Sequence, residues 1–213
     1  MFHAAVFDLD GTLLNTLDDL ADSTNAALLS FGKEPVTTQM VRASVGNGVD
    51  VLFEKVLPDG RQDSRYDELI RFFVPYYTQH CRIKTGPYPG IMEMLGALRD
   101  KGVRMAIVSN KADPAVRVLS EEFFNGYVAE AVGESKEIRK KPCPDTVLKA
   151  LRLLDVKPEE ALYIGDSEVD HETAKNAGIK VALVTWGFRD RDELEKMEPD
   201  YLIDDPMQLA ALF

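Results

Sequence analysis

Only two cysteines, Cys81 and Cys143, occur in the 213 residues. They lie far apart and without metal-site spacing, which argues against disulfide or zinc chemistry and suits the inert thiols of a cytoplasmic protein. Histidine is equally scarce: His3 and His80 have no partners that would make a ligand cluster, and His171 reads as exposed or as a residue behind a site. No apolar stretch approaches the ~20 residues needed to span a bilayer. The N-terminal stretch lacks the basic-then-apolar layout of a signal peptide and runs straight into a strand-like segment. Basic excess is missing too, with 25 Lys and Arg against 36 Asp and Glu and a net charge of -11. That balance argues against a nucleic-acid footprint and predicts long-range repulsion of any anionic ligand, which local cations must overcome.

What is present is an alternation. Strand-like runs fall at Ala4 to Phe7, Val103 to Val108, Val128 to Val132, Ala161 to Ile164, Val181 to Val184 and Tyr201 to Ile203, with helical segments between them. Such alternation predicts an α/β fold, a parallel sheet with helices on both faces. Asp113-Pro114 reads as a helix start and Gly178 as a helix stop. From about Thr16 to Ile83 the alternation breaks. Apolar residues recur there at helical spacing, as in Leu17, Leu20, Ala21, Thr24 and Leu28, or Leu69, Phe72, Phe73 and Tyr76. The aromatic stripe Phe72, Phe73, Tyr76, Tyr77 reads as the core of this helical stretch.

Asp8-Leu9-Asp10-Gly11-Thr12 sets two carboxylates two residues apart where the first apolar run ends, and Gly11 lets the chain turn. Ligands of an open parallel sheet gather outside the carboxyl ends of its strands. There one carboxylate could attack phosphorus and the other could pass a proton to the leaving oxygen. Ser109-Asn110 ends a second strand, where a hydroxyl and an amide can donate to phosphoryl oxygens, or the serine can cap a helix. Lys140 and Lys141 precede Pro142 and a helix from about Pro144 through Leu154, and a lysine fixed there would balance charge on Asp8. Gly165-Asp166-Ser167-Glu168-Val169-Asp170 follows a further strand. Asp8 and Asp166 suit a hard cation such as magnesium. Asp170 could bind it directly or through water, or could simply favour a helix N-terminus. Glu168 in the same loop reads as solvated surface.

These four motifs, taken in order, resemble the haloacid dehalogenase superfamily, in its phosphoglycolate phosphatase-like branch with a small helical cap. The resemblance spans nearly the whole chain. It implies a Rossmann-like doubly wound core of residues 1–15 and 84–213 and an all-α cap of residues 16–83, joined by Leu14-Asn15-Thr16 and by Lys84 to Pro89. It implies Asp8 as nucleophile, Asp10 as acid and base, Ser109, Asn110 and Lys141 around the phosphoryl group, and Asp8, the Asp10 carbonyl, Asp166 and Asp170 around Mg2+. The family places its lysine directly before the proline, which favours Lys141 over Lys140. Gly46-Asn47-Gly48 is either an interhelical turn or a cap loop facing the substrate, Arg42 either a carboxylate ligand or a solvated side chain. Trp186-Gly187-Phe188 either packs or lines the mouth between core and cap.

The activity so implied is magnesium-dependent hydrolysis of a small phosphorylated metabolite through an aspartyl-phosphate, by a cytoplasmic monomer or homodimer without nucleic-acid or membrane partners. A phosphosugar mutase or pyrophosphatase of the same superfamily is the enzymatic alternative. Thr12 follows the phosphatase pattern where many mutase relatives carry Val. Asp10 argues against a dehalogenase, which lacks the second acid. The non-enzymatic alternative is a phosphoacceptor signalling module, against which stand the helical insert and a proton-shuttling Asp10.

Overall fold

The computed structural model describes residues 2–213. Its centre is a six-stranded sheet of β1 (Ala4–Phe7), β4 (Arg104–Ala112), β5 (Glu130–Glu134), β6 (Ala161–Gly165), β7 (Lys180–Val184) and β8 (Tyr201–Ile203). The spatial order is β5-β4-β1-β6-β7-β8, and every pairing is parallel. Period-two alternation gives the sheet two buried faces. Ala5, Phe7, Met105, Ile107, Leu162 and Ile164 belong to one core, Ala4, Val6, Ala106, Val108, Ala161 and Tyr163 to the other. Helices α5 (Ile91–Asp100), α6 (Asp113–Phe124) and α10 (Pro206–Ala210) contribute apolar side chains to the first core. Helices α7 (Asp145–Leu154), α8 (Glu168–Ala177) and α9 (Arg191–Glu195) serve the second. This is the doubly wound α/β architecture that the alternation implies.

β1 lies between β4 and β6, with Phe7 level with both Ile107 and Ile164. The residues that follow these three strands therefore emerge together at one sheet edge. β4 runs past the apolar segment that marks it in the sequence, through Ser109, Asn110 and Lys111, and its pairing with β5 shifts register between Val108 and Ala112. Such an irregularity re-aims side chains locally.

Between β1 and β4 stand α1 (Leu17–Ser30), α2 (Thr38–Arg42), α3 (Val49–Val56) and α4 (Tyr66–His80). Their inner faces bury Leu20, Leu28, Val41, Phe53, Leu69 and Phe73. Phe53 meets Phe73 edge-on at 5.3 Å, and Phe73 stacks on Tyr77 at 5.4 Å. The two chain crossings to this insert are joined to each other: β2 (Leu14–Asn15) pairs antiparallel with β3 (Gly86–Pro87). Asp19, buried in the first turn of α1, accepts the main-chain N–H groups of Ile83, Lys84 and Thr85 at 2.9–3.0 Å. A ribbon and a carboxylate clasp thus stand where the sequence reads as two plain linkers.

Candidate active site

Asp8 follows β1 directly and is 6% exposed, its N–H donating to Ile164 O at 2.8 Å. Lys141 Nζ lies 2.8 Å from Asp8 Oδ1 and 2.8 Å from Asp170 Oδ1. Burial alone would drive the Lys141 ammonium to lose its proton. The Asp170 and Asp8 carboxylates outweigh it and hold the group charged well above the usual lysine range. Asp170 has no exposure and accepts four donors: Lys141 Nζ and Tyr163 OH on Oδ1, Ser167 Oγ and the Asp166 N–H on Oδ2. Burial opposes its charge, but Lys141 and these hydrogen bonds prevail and keep it below the ordinary carboxylate range. Asp166 has less help. Burial, then repulsion from Asp170, raises it to about 7, although the Phe188 N–H donates to Oδ2 at 2.6 Å. Burial lifts Asp8 in the same direction against the pull of Lys141.

Asp10 faces a different lysine. Lys111 Nζ lies 2.9 Å from Asp10 Oδ1 and donates to Tyr77 OH at 2.7 Å, while Thr16 Oγ1 donates to the same Asp10 oxygen at 2.6 Å. Lys111 escapes a reading of the sequence, since a lysine after a strand normally reaches water. The signal that would find it is its position two residues beyond Ser109 in an extended strand, which puts both on one side. Asp8, Asp10, Ser109 and Lys111 line a cavity whose opposite wall is formed by the helical insert, including Phe73 and Tyr77. The aromatic stripe therefore divides: Phe72 packs on Phe31 and Tyr76 inside the insert, while Phe73 and Tyr77 also face the cavity.

The sequence profile of the haloacid dehalogenase-like hydrolases matches residues 5–184. The chain belongs to that family. It is 36% identical over 208 residues to a phosphoglycolate phosphatase of Aquifex aeolicus, covering 97% of this chain and 94% of that one. It is 33% identical over 202 residues to a phosphoglycolate phosphatase of Mesorhizobium japonicum, covering 93% and 88%. A solved structure from Lactobacillus delbrueckii subsp. bulgaricus, proposed to be a phosphoglycolate phosphatase, is 35% identical, covers 98% of this chain and 97% of its own, and superposes with a TM-score of 0.92. This haloacid dehalogenase-like hydrolase is thus an enzyme of the phosphoric monoester hydrolase class.

Within the hydrolase, Asp8, Asp166 and Asp170 bring a carboxylate oxygen each within 4.8 Å of one another. Hard oxygen donors so crowded suit a divalent cation such as magnesium. Two glycines press against this corner: a Cβ at Gly11 or at Gly187 would fall onto the Asp166 side chain. Trp186-Gly187-Phe188 braces this corner, since the Trp186 indole donates to Thr12 O at 2.9 Å and Phe188 is buried. Asp170, with all four donors in place, would reach an ion only across a water or by giving up one of them.

Other expected residues sit differently. The Ser109 hydroxyl accepts the Lys111 N–H at 3.1 Å, and no acceptor among the described residues takes its own hydrogen. The Asn110 side chain is a tie instead of a free donor: its amide reaches Gly46 O at 3.1 Å and Lys141 O at 2.9 Å, and its oxygen accepts the Lys141 N–H. Gly46 and Gly48 line the cavity, whereas Asn47 does not. Arg42 does not reach the cavity either, because at the end of α2 it pairs with Asp190 at 3.0 Å across a separate cleft. Lys140 crosses to Asp50 of α3 at 2.8 Å, which separates it from Asp8. Glu168, expected as solvated surface, is held by both Arg189 Nε and Nη2.

Proposed function

We propose that this hydrolase is a magnesium-dependent phosphatase of a small phosphorylated metabolite of the phosphoglycolate type, acting through an aspartyl-phosphate on Asp8. The observation that carries the reading is the division of labour between the two aspartates. Both line the cavity, but Asp8 is pinned by Lys141 beside Asp166 and Asp170, whereas Asp10 is held apart from them by Lys111 and Thr16. The Asp8 carboxylate attacks phosphorus, and the bond to the leaving oxygen breaks as Asp10 gives that oxygen a proton. Water, losing a proton to Asp10, then attacks the phosphorus, releases inorganic phosphate and restores the Asp8 carboxylate. Lys141 and the Ser109 hydroxyl offset the charge on the phosphoryl oxygens. Asp170 positions Lys141 and the Asp166 main chain. Asp8, Asp166 and the Asp10 main-chain carbonyl would hold the cation, which no main-chain donor among the described residues competes for at Asp10 O. When bound, a magnesium ion supplies positive charge to the transferring phosphoryl group.

The helical insert, residues 16–83, serves as a cap over the core of residues 1–15 and 84–213. Among the described residues no helix is long and apolar enough to cross a membrane, and the two free cysteines support a cytoplasmic place for the enzyme. The test is phosphate release, with magnesium and without a bisphosphate primer, from 2-phosphoglycolate, sugar phosphates, pyrophosphate and nucleotides. Preferred release from 2-phosphoglycolate, and a phosphate added to the intact mass on rapid quenching, are expected. Turnover only with a bisphosphate primer would make the enzyme a mutase.

A further inference from the structure

The cavity in front of Asp8 and Asp10 has unequal walls. The insert contributes Leu20, Val45, Val49, Leu52, Phe73 and Val74, and no charged residue of the insert lines it. The Thr78 hydroxyl, also on that wall, is taken by Val74 O at 2.7 Å. Lys141, Asp166 and Asp170 lie behind Asp8 and outside the lining. Among the described residues, Lys111 is therefore the one cation lining the cavity. Its side chain is 6% exposed, and its ammonium sits between Asp10 Oδ1 and Tyr77 OH, 4.2 Å from the centre of the Tyr77 ring. An ammonium has three N–H donors, and these two partners leave one for a ligand.

We propose that Lys111 selects the substrate, its ammonium receiving the single carboxylate of a short leaving group whose carbon atoms rest against the apolar insert wall. The inference rests on the reading that Asp8 accepts the phosphoryl group, because that orientation puts the leaving oxygen at Asp10 and the far end of the leaving group beside Lys111. Charge matching demands such a partner. The phosphoryl oxygens have Lys141 and Ser109, but a carboxylate pointing into the cavity meets two aspartates and one lysine. A carboxylate without a partner there would be strongly disfavoured. Longer polyhydroxy leaving groups fare badly for a different reason. Each hydroxyl left unmatched against the aliphatic wall weakens binding by roughly tenfold or more. Lys111 and Tyr77 thus distinguish a short acid from a sugar.

The experiment compares 2-phosphoglycolate with ethyl phosphate, in which a methyl group stands where the carboxylate was, on the magnesium-loaded enzyme and its Lys111→Met, Lys111→Gln and Lys111→Arg variants. The wild-type enzyme should prefer 2-phosphoglycolate in kcat/KM. Both uncharged variants should lower that preference by about tenfold to a hundredfold, chiefly through KM, as expected for loss of one charge-assisted contact. Lys111→Arg should keep most of it. Taking the ratio between variants cancels the different acidities of the two alcohols. Equal losses for both substrates, or an undiminished preference in Lys111→Met and Lys111→Gln, would overturn the assignment while leaving the phosphatase reading intact. Should Lys111→Met fail to fold, the Gln and Arg pair carries the comparison. Failure of the wild-type enzyme to release phosphate from either ester, or from nitrophenyl phosphate, would overturn the phosphatase reading itself and this proposal with it.

Discussion

Lys141 reaches Asp8 and Asp170 at 2.8 Å each, and its charge lets several carboxylates share one dry corner. Replacing Asp8 with Asn keeps the size of the side chain but puts an amide where the proposed nucleophile stands. Turnover should fall at least about a thousandfold with the circular dichroism spectrum unchanged. A variant retaining more than about a tenth of wild-type activity would remove Asp8 from the chemistry. The neighbouring carboxylates also make a pH prediction. Burial and Asp170 raise Asp166 to about 7, and burial raises Asp8 as well. Both folded values lie above the unfolded value near 4. In metal-free protein the bound protons therefore favour the folded state, a contribution complete below about pH 4 and, for the Asp166 proton, lost as pH rises through about 7. In chelator, the thermal midpoint should be lower at pH 8 than at pH 6, and added magnesium should raise it more at pH 8, where no proton competes. A metal-free midpoint that climbs between pH 6 and pH 8 would contradict the assigned shifts.

Among the elements, the junction of β2, β3 and α1 is the most exposed to a single change. Asp19→Ala would leave the N–H groups of Ile83, Lys84 and Thr85 without their acceptor. The loss should destabilise the fold by about 3 kcal/mol in urea titration. A change within about 0.5 kcal/mol would mean that water replaces the carboxylate at no cost. Nothing in the sequence points to this clasp, because a two-residue strand carries no period and an aspartate at a helix start reads as an ordinary first-turn acid. By contrast the sheet was legible. Ala4, Ala5, Val6 and Phe7 belong alternately to two cores, and so do the residues of β4, β6 and β7. Asp113-Pro114 opens α6, and Gly178, at φ 70°, ends α8. Within the site, Asp8 and Asp166 were legible because each sits just beyond a strand, and Asp170 because it follows Asp166 by four residues, in the first turn of α8. Lys111 was not, and neither was the tie that the Asn110 side chain makes, since their partners Tyr77 and Gly46 come from the insert and only the folded chain sets them together.

For the molecule as a whole, a net charge of -11 sets the approach of an anionic substrate against the close-range attraction of Lys111 and Lys141. Salt screens the distant charges more than the buried ones. The kcat/KM for 2-phosphoglycolate should therefore rise about two- to threefold between ~10 and ~150 mM monovalent salt at fixed magnesium. A steady fall over that range would mean that a local positive field already governs the encounter. The insert itself is held at its mouth. Leu14 and Asn15 pair with Pro87 and Gly86, and Asp19 fastens the returning chain beside them. Closure entropy grows so slowly that doubling the enclosed chain costs only about 0.6 kcal/mol. A descendant of such a chain could lengthen, shorten or replace the helices beyond this clasp at little cost in closure. The aspartates beneath would stay where they are while a new lid brings a new choice of substrate.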